Sequence, residues 1–154
     1  MTEFDPERIF AALGGAGVDY VTVGGMALIA HGVVRATLDV DLIPATDEKN
    51  LTRLAAAIGA LGGAPYGEPD TPLTPELLGR DANMRFDTEA GQLDVLCAEQ
   101  YRRFYTELRS RFVTVEVEGL AVPVASRNDL IRLKAGTGRD RDLLDIGDLL
   151  ALDE

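Results

Sequence analysis

One cysteine, one histidine and no tryptophan occur in the 154 residues of this chain, and each scarcity closes off a chemistry. Cys97 has no partner for an internal disulfide, and neither it nor His31 has Cys or His neighbours at ligand spacing. A disulfide scaffold and a zinc site are therefore excluded. No run approaches the roughly 18 consecutive apolar residues of a membrane span. The start, Met1-Thr2-Glu3-Phe4-Asp5, lacks the basic-then-apolar layout of a signal peptide. The expectation is a cytoplasmic protein with no membrane partner. Positive charge is scarce too, 15 basic residues against 26 acidic and a net charge of -11. That speaks against general adhesion to nucleic acid, because phosphate binding needs clustered cations. Lys49 and Lys134 are the only lysines, so the basic charge is nearly all arginine. It gathers at Arg102/Arg103/Arg109/Arg111 and at Arg127/Arg132/Lys134/Arg139/Arg141, the second group being the better candidate for phosphate contact.

Apolar residues at 46% and charged residues at 27% suit a globular protein, and the length suits a single domain over 1–154. Asp5-Pro6 reads as a helix start, with Ile9, Phe10 and Leu13 as its apolar stripe. Tyr20 to Val23 is a buried strand that runs into Gly24-Gly25 and then a helix from Met26. Leu38 to Ile43 alternates with period two and is closed by Pro44, and Asp47 opens a helix that stops at Gly62-Gly63. Ala64 to Asp81, broken by Pro65, Pro69, Pro72 and Pro75, reads as a long surface loop with a short turn near Pro75 to Leu78. Met84 to Asp87 and Leu93 to Leu96 form a hairpin, and Glu99 to Arg109 a helix. Phe112 to Glu116 and Leu120 to Val124 form a second hairpin about Glu118-Gly119. Ser126 with Asp129 resembles a capping box, and Asp140 to Leu150 supplies a last helix. The fold class is α/β (α+β), a mixed sheet flanked by helices with a short C-terminal helical segment.

Residues i and i+2 of a strand share a face, so Asp39 and Asp41 project together. Two such anions repel, and a hard divalent cation offsets that cost. A solvent-facing strand with ordinary alternating polarity is the bland alternative. The strand-Gly-Gly-helix unit just upstream favours chemistry, because without β-carbons its backbone N–H groups approach phosphate oxygens closely. Nucleotide chemistry asks for both halves together, one element for the triphosphate and one for the metal bridging it to the attacking hydroxyl. Asp94 offers a third carboxylate from a later strand. Among the remaining residues, His31 suits a helix-end hydrogen bond, Cys97 a small buried position, and Tyr101, Phe104 and Tyr105 the core.

Val23-Gly24-Gly25 followed by Asp39-Val40-Asp41-Leu42, with Asp94 beyond, resembles the nucleotidyltransferase signature. More narrowly, Gly24 to Leu28 with His31-Gly32, Arg35, Thr37, Asp39 and Asp41 is similar to small bacterial nucleotidyltransferases that include AbiEii-type toxins of type IV toxin-antitoxin modules. The tail from Lys134 through Gly138-Arg139 to Asp142 and Asp145 resembles their C-terminal Lys, Arg and Asp segment. The resemblance implies a transferase moving a nucleotide from a nucleoside triphosphate (NTP) to a hydroxyl on RNA, tRNA included, or on protein, with a cognate antitoxin as partner. It implies that Gly24 and Gly25 contact the triphosphate and that Asp39, Asp41 and Asp94 form the metal set for Mg2+ or Mn2+. Asp94 then orients or deprotonates the acceptor. Lys134, Arg139 and Arg35 contact phosphate or nucleotide, with Asp142 in support. The pattern departs at Gly25, where many relatives carry a serine whose hydroxyl donates to phosphate. That departure motivates a second expectation, a weak or inactive nucleotide-binding module acting through a protein partner.

Overall fold

Local sequence signals set the element boundaries. In the computed structural model, which describes residues 2–135 and 139–152, the Asp5 carboxylate accepts from the Arg8 N–H at 3.1 Å and caps α1, Pro6–Gly15. Pro6 stands in the first turn, where its missing N–H costs nothing. Asp47 caps α3, Glu48–Ala60, in the same way, accepting from the Asn50 N–H at 3.1 Å. Between them β1, Tyr20–Val23, leads directly into α2, Gly24–Ala30, and a loop returns the chain to β2, Asp39–Pro44. The hairpin of β4, Asn83–Thr88, and β5, Gly91–Leu96, follows, and after it β6, Val113–Val117, and β7, Leu120–Val124. Glu118 and Gly119 turn that second hairpin with φ of 49° and 83°, the two positive values a tight two-residue connection needs.

One mixed sheet orders the strands β3-β4-β5-β2-β1-β7-β6, with β3 being Ala64–Pro65. β2 and β5 run parallel in its middle, and β1 pairs antiparallel with β2 and parallel with β7. Alternation divides the central strands cleanly. Val40, Leu42, Leu93, Val95 and Phe86 turn to one face and are buried, joining Ile9, Phe10 and Leu13 of α1 and Leu54 and Ile58 of α3 in the core. Asp39, Asp41 and Asp94 turn to the other. Fully burying each large aliphatic side chain is worth roughly 1.5–3 kcal/mol, so the core face fixes the register that gathers the acids. On the acid face lie α2, α5 (Glu99–Arg102), α7 (Arg127–Ala135) and α8 (Asp140–Ala151).

Three elements differ from expectation. The 64–81 stretch is not wholly loop: Ala64 and Pro65 pair with Asp87 and Phe86 as β3, and Tyr66 N–H donates to the Arg85 carbonyl at 2.9 Å. Pro65 is tolerated because it sits on the sheet edge. The helical turn at Pro75–Leu78, α4, is where the sequence puts it. Glu99 to Arg109 is two helices, α5 and α6 (Tyr105–Arg111), because Phe104 N–H bonds back three residues to Tyr101 rather than four and tightens the chain there. Ser126 does cap α7, accepting from Asp129 N–H at 3.1 Å, but the buried Asp129 carboxylate is forked by Arg111 at 2.8 and 3.1 Å. Gly138 of the C-terminal resemblance lies outside the described residues.

Candidate active site

Strand registry builds the site. Asp39 and Asp41 share a face of β2, and Asp94 on β5 is the register partner of Asp41. One carboxylate oxygen from each of the three lies within 4.8 Å of the others. All are partly buried. Burial comes first, then a hydrogen bond shared with Asp94 and repulsion by Asp39 and Asp94; together these push Asp41 up to about 8, against a usual 3.8. A donor set made only of carboxylate oxygens at this spacing fits a hard divalent cation such as Mg2+ or Mn2+.

Gly24 and Gly25, expected as a turn before a helix from Met26, are instead the first residues of α2 and abut these acids. β1 ends at Val23, the register partner of Asp41, and Gly24 then takes φ +70°, a left-handed conformation that a side chain disfavours. A β-carbon at Gly24 would collide with the Asp41 carboxylate, so glycine is required there twice over. A β-carbon at Gly25 would lie 2.8 Å from Thr37 Oγ1 and 3.0 Å from its Cβ. Thr37, whose hydroxyl is 3.4 Å from Asp39 Oδ1, thus fills the space a serine at position 25 would need. Glycine at 25 is a local packing solution.

A crevice of about 100 Å³ opens beside Asp41 and Gly24, walled by Leu96, Tyr101, Leu130 and Lys134. Typical ligand pockets are several hundred Å³, so this crevice is too small to enclose a whole ligand. Its far wall is ionic. Lys134 Nζ donates to Asp145 at 2.8 Å and to Asp142 at 3.3 Å, Arg139 Nε donates to Asp142 at 2.7 Å, and Arg35 Nη1 donates to Asp145 at 2.8 Å. Both carboxylates are buried, and buried carboxylates of this kind are retained with paired cations. Of the expected site residues, Gly24, Asp41, Lys134, Arg139 and Asp142 line one crevice. Arg35 points to Asp145, with its Nε 3.8 Å from where a Gly25 β-carbon would be.

The other sequence assignments take structural places. His31 caps α2, and its Nε2 donates to the Ala125 carbonyl at 2.8 Å. Cys97 is buried, and burial pushes its thiol up. Arg109 bonds the Tyr20 carbonyl and Arg102 the carbonyls of Cys97, Gly79 and Arg80, so the first basic cluster braces the fold. Asp145, which the sequence offered only within the C-terminal resemblance, joins Arg35 to Lys134. One functional candidate escaped the sequence: Arg85 on β4 reaches both Asp94 and Asp39. Counting outward from the expected turn at 88–91 sets residue 85 opposite residue 94, so the signal for Arg85 was present in the hairpin register.

A mixed sheet with helices on both faces, carrying acids from adjacent parallel strands beside a glycine pair, is a nucleotidyltransferase fold. Over residues 13–153 the chain matches the family model described as nucleotidyltransferase of unknown function (DUF6036), and it belongs to that family. It is similar to the lincosamide antibiotic adenylyltransferase LnuA in its lincomycin-bound crystal structure, with a TM-score of 0.64 and 14% identity over 98% of this chain and 99% of that one. The solution structure of the antibiotic-resistance factor ANT(2'')-Ia matches with a TM-score of 0.61 and 17% identity, covering 97% of this chain and 82% of that one. An antigenic nucleotidyltransferase-like protein from Paracoccidioides brasiliensis matches with a TM-score of 0.61 and 18% identity, covering 99% and 78%. At these identities the likeness carries the fold alone. No curated protein matches the sequence. Among the described residues no helix is long and apolar enough to cross a membrane.

Proposed function

We propose that this chain transfers a nucleotide from an NTP to a hydroxyl acceptor, releasing pyrophosphate. The observation that carries the proposal is the gathering of Asp39, Asp41 and Asp94 within 4.8 Å against a glycine pair that admits nothing larger. Asp39 and Asp41 would hold the divalent ion, with Asp94 completing the set from β5. When bound, that ion would neutralise phosphate charge and supply Lewis-acid activation of the transfer. Asp94, on the neighbouring strand, orients the acceptor hydroxyl and takes its proton, the oxygen then forming the new bond to the α-phosphorus as pyrophosphate leaves. Gly24 and Gly25 present backbone N–H groups to the triphosphate. Lys134, held by Asp142 and Asp145, meets the nucleotide at the crevice wall, where Arg139 adds a second cation. Arg35 supports this wall through Asp145.

The acceptor is a hydroxyl on RNA, tRNA included, or on protein, and the setting is that of a type IV toxin with a cognate antitoxin. The AbiEii-like run from Gly24 to Asp41 supports that finer reading. Asp39→Ala/Asp41→Ala protein is the control for the test: α-labelled NTPs are supplied with Mg2+, total tRNA and cell lysate. Label on RNA or on a protein band, lost in the control, supports the transferase and names its acceptor. Absence of transfer with every NTP, despite Mg2+-dependent nucleotide binding, favours the partner-binding module instead.

A further inference from the structure

Arg85 sits among the carboxylates that the proposed function assigns to a metal, and nothing in that function uses it. Its Nε donates to Asp94 Oδ1 at 2.8 Å and its Nη2 to Asp94 Oδ2 at 2.9 Å, a two-point fork. The same Nη2 reaches Asp39 Oδ2 at 3.1 Å. One guanidinium therefore engages both oxygens of Asp94 and one of Asp39. Arg85 cannot shed its charge by deprotonation at any ordinary pH. It is nevertheless 43% exposed along its side chain, so its head has solvent to move into.

We propose that Arg85 is a resident counter-ion that competes with divalent metal for Asp39 and Asp94. This rests on the assignment of the three aspartates as a metal site. A cation bridging Asp39 and Asp94 must share or take an Asp94 oxygen that the guanidinium now holds, and it gains a positive neighbour a few ångströms away. Even at the dielectric constant of water, charges of +2 and +1 roughly 5 Å apart repel by more than a factor of ten in binding. Metal alone therefore binds weakly, and the site loads fully once Arg85 turns outward or finds other anions. A triphosphate supplies such anions at this place. The device keeps an acid cluster intact in the metal-free protein while reserving full metal occupancy for the substrate-bound state.

Mn2+ without nucleotide, titrated calorimetrically and by the paramagnetic resonance of the free ion, separates the possibilities. Arg85→Gln is expected to bind Mn2+ at least about ten-fold more tightly than wild type. Arg85→Lys, which keeps the charge but loses the fork, is expected to gain only about two- to three-fold. Asp39→Ala/Asp41→Ala is expected to abolish binding. Unchanged or weaker binding by folded Arg85→Gln overturns the proposal while leaving the metal site standing. If Arg85→Gln does not fold, unchanged or weaker binding by Arg85→Lys overturns it. Failure of folded wild type and both Arg85 variants to bind Mn2+ removes both the proposal and the metal site beneath it.

Discussion

Two charged clusters border one crevice and differ in how their charge is neutralised. On the sheet, Asp39 and Asp94 pair with one cation among the described residues, Arg85, and Asp41 is pushed up to about 8. Beside the C-terminal helices, two carboxylates, Asp142 and Asp145, pair with three cations, Lys134, Arg139 and Arg35. The sheet cluster holds carboxylates that neighbouring strands will not let separate, so it is short of positive charge by construction. The helical cluster has cations in excess of its acids, and its ion pairs anchor α8 together with buried Leu149. α8 buries Asp142, Asp145 and Leu149 while Leu143, Leu144 and Leu150 remain exposed. On the proposed function, the cluster short of cation is the place for the ligand, and the cation-rich one holds Lys134 and α8 beside it.

The comparison breaks most visibly if the sheet acids are removed. Asp39→Ala/Asp41→Ala is expected to lower nucleotide transfer by at least about 10³-fold, the scale of a lost metal site. Because it also relieves repulsion, metal-free thermal stability should hold or rise, which a melting curve reads. Asp145→Asn should act in the opposite sense. Leaving Lys134 and Arg35 without their shared carboxylate is expected to cost about 2–4 kcal/mol of stability. Mn2+ affinity at the sheet cluster should stay within about two-fold. Denaturant unfolding and a metal titration on the same protein check the pair.

Gly24→Ala sharpens the contrast at the boundary between the clusters. The left-handed φ of +70° and the collision with the Asp41 carboxylate are expected to cost about 1–3 kcal/mol and to weaken Mn2+ binding. The smallest effect concerns protons. Asp41 is raised from 3.8 to about 8 in the folded protein, so between those values the folded state holds a proton the unfolded chain has released. Its contribution to stability is present at low pH and lost as pH rises through 8. Between pH 7 and 8 the metal-free protein should lose about 1 kcal/mol relative to Asp41→Asn. Paired melting curves read this difference, and a flat difference would contradict the raised value.

Much of the sheet cluster was legible because strand alternation is a local rule. The Asp39 and Asp41 spacing, the glycine pair and the hairpin carrying Asp94 all follow from periods of two and from turn residues. Arg85 followed from the same register, but a lone basic residue in a hairpin reads as solvated until its partner strand is seen beside β2. The helical cluster was less accessible. Arg35 and Asp145 stand 110 residues apart, and their meeting depends on how α8 lies against the loop before β2, which no local pattern encodes. The break in 99–109 has neither Gly nor Pro to announce it. Thr37 appeared only as part of a resemblance, and its role beside Gly25 is a matter of a few tenths of an ångström of packing.

Anomalous diffraction from crystals grown with Mn2+ and a non-hydrolysable NTP analogue tests the central claim most directly. A manganese peak ligated by Asp39 and Asp41, with the triphosphate against Gly24-Gly25 and Lys134 facing the nucleotide, is the predicted result. Manganese bound away from Asp39 and Asp41, or a nucleotide seated elsewhere on the molecule, would contradict it.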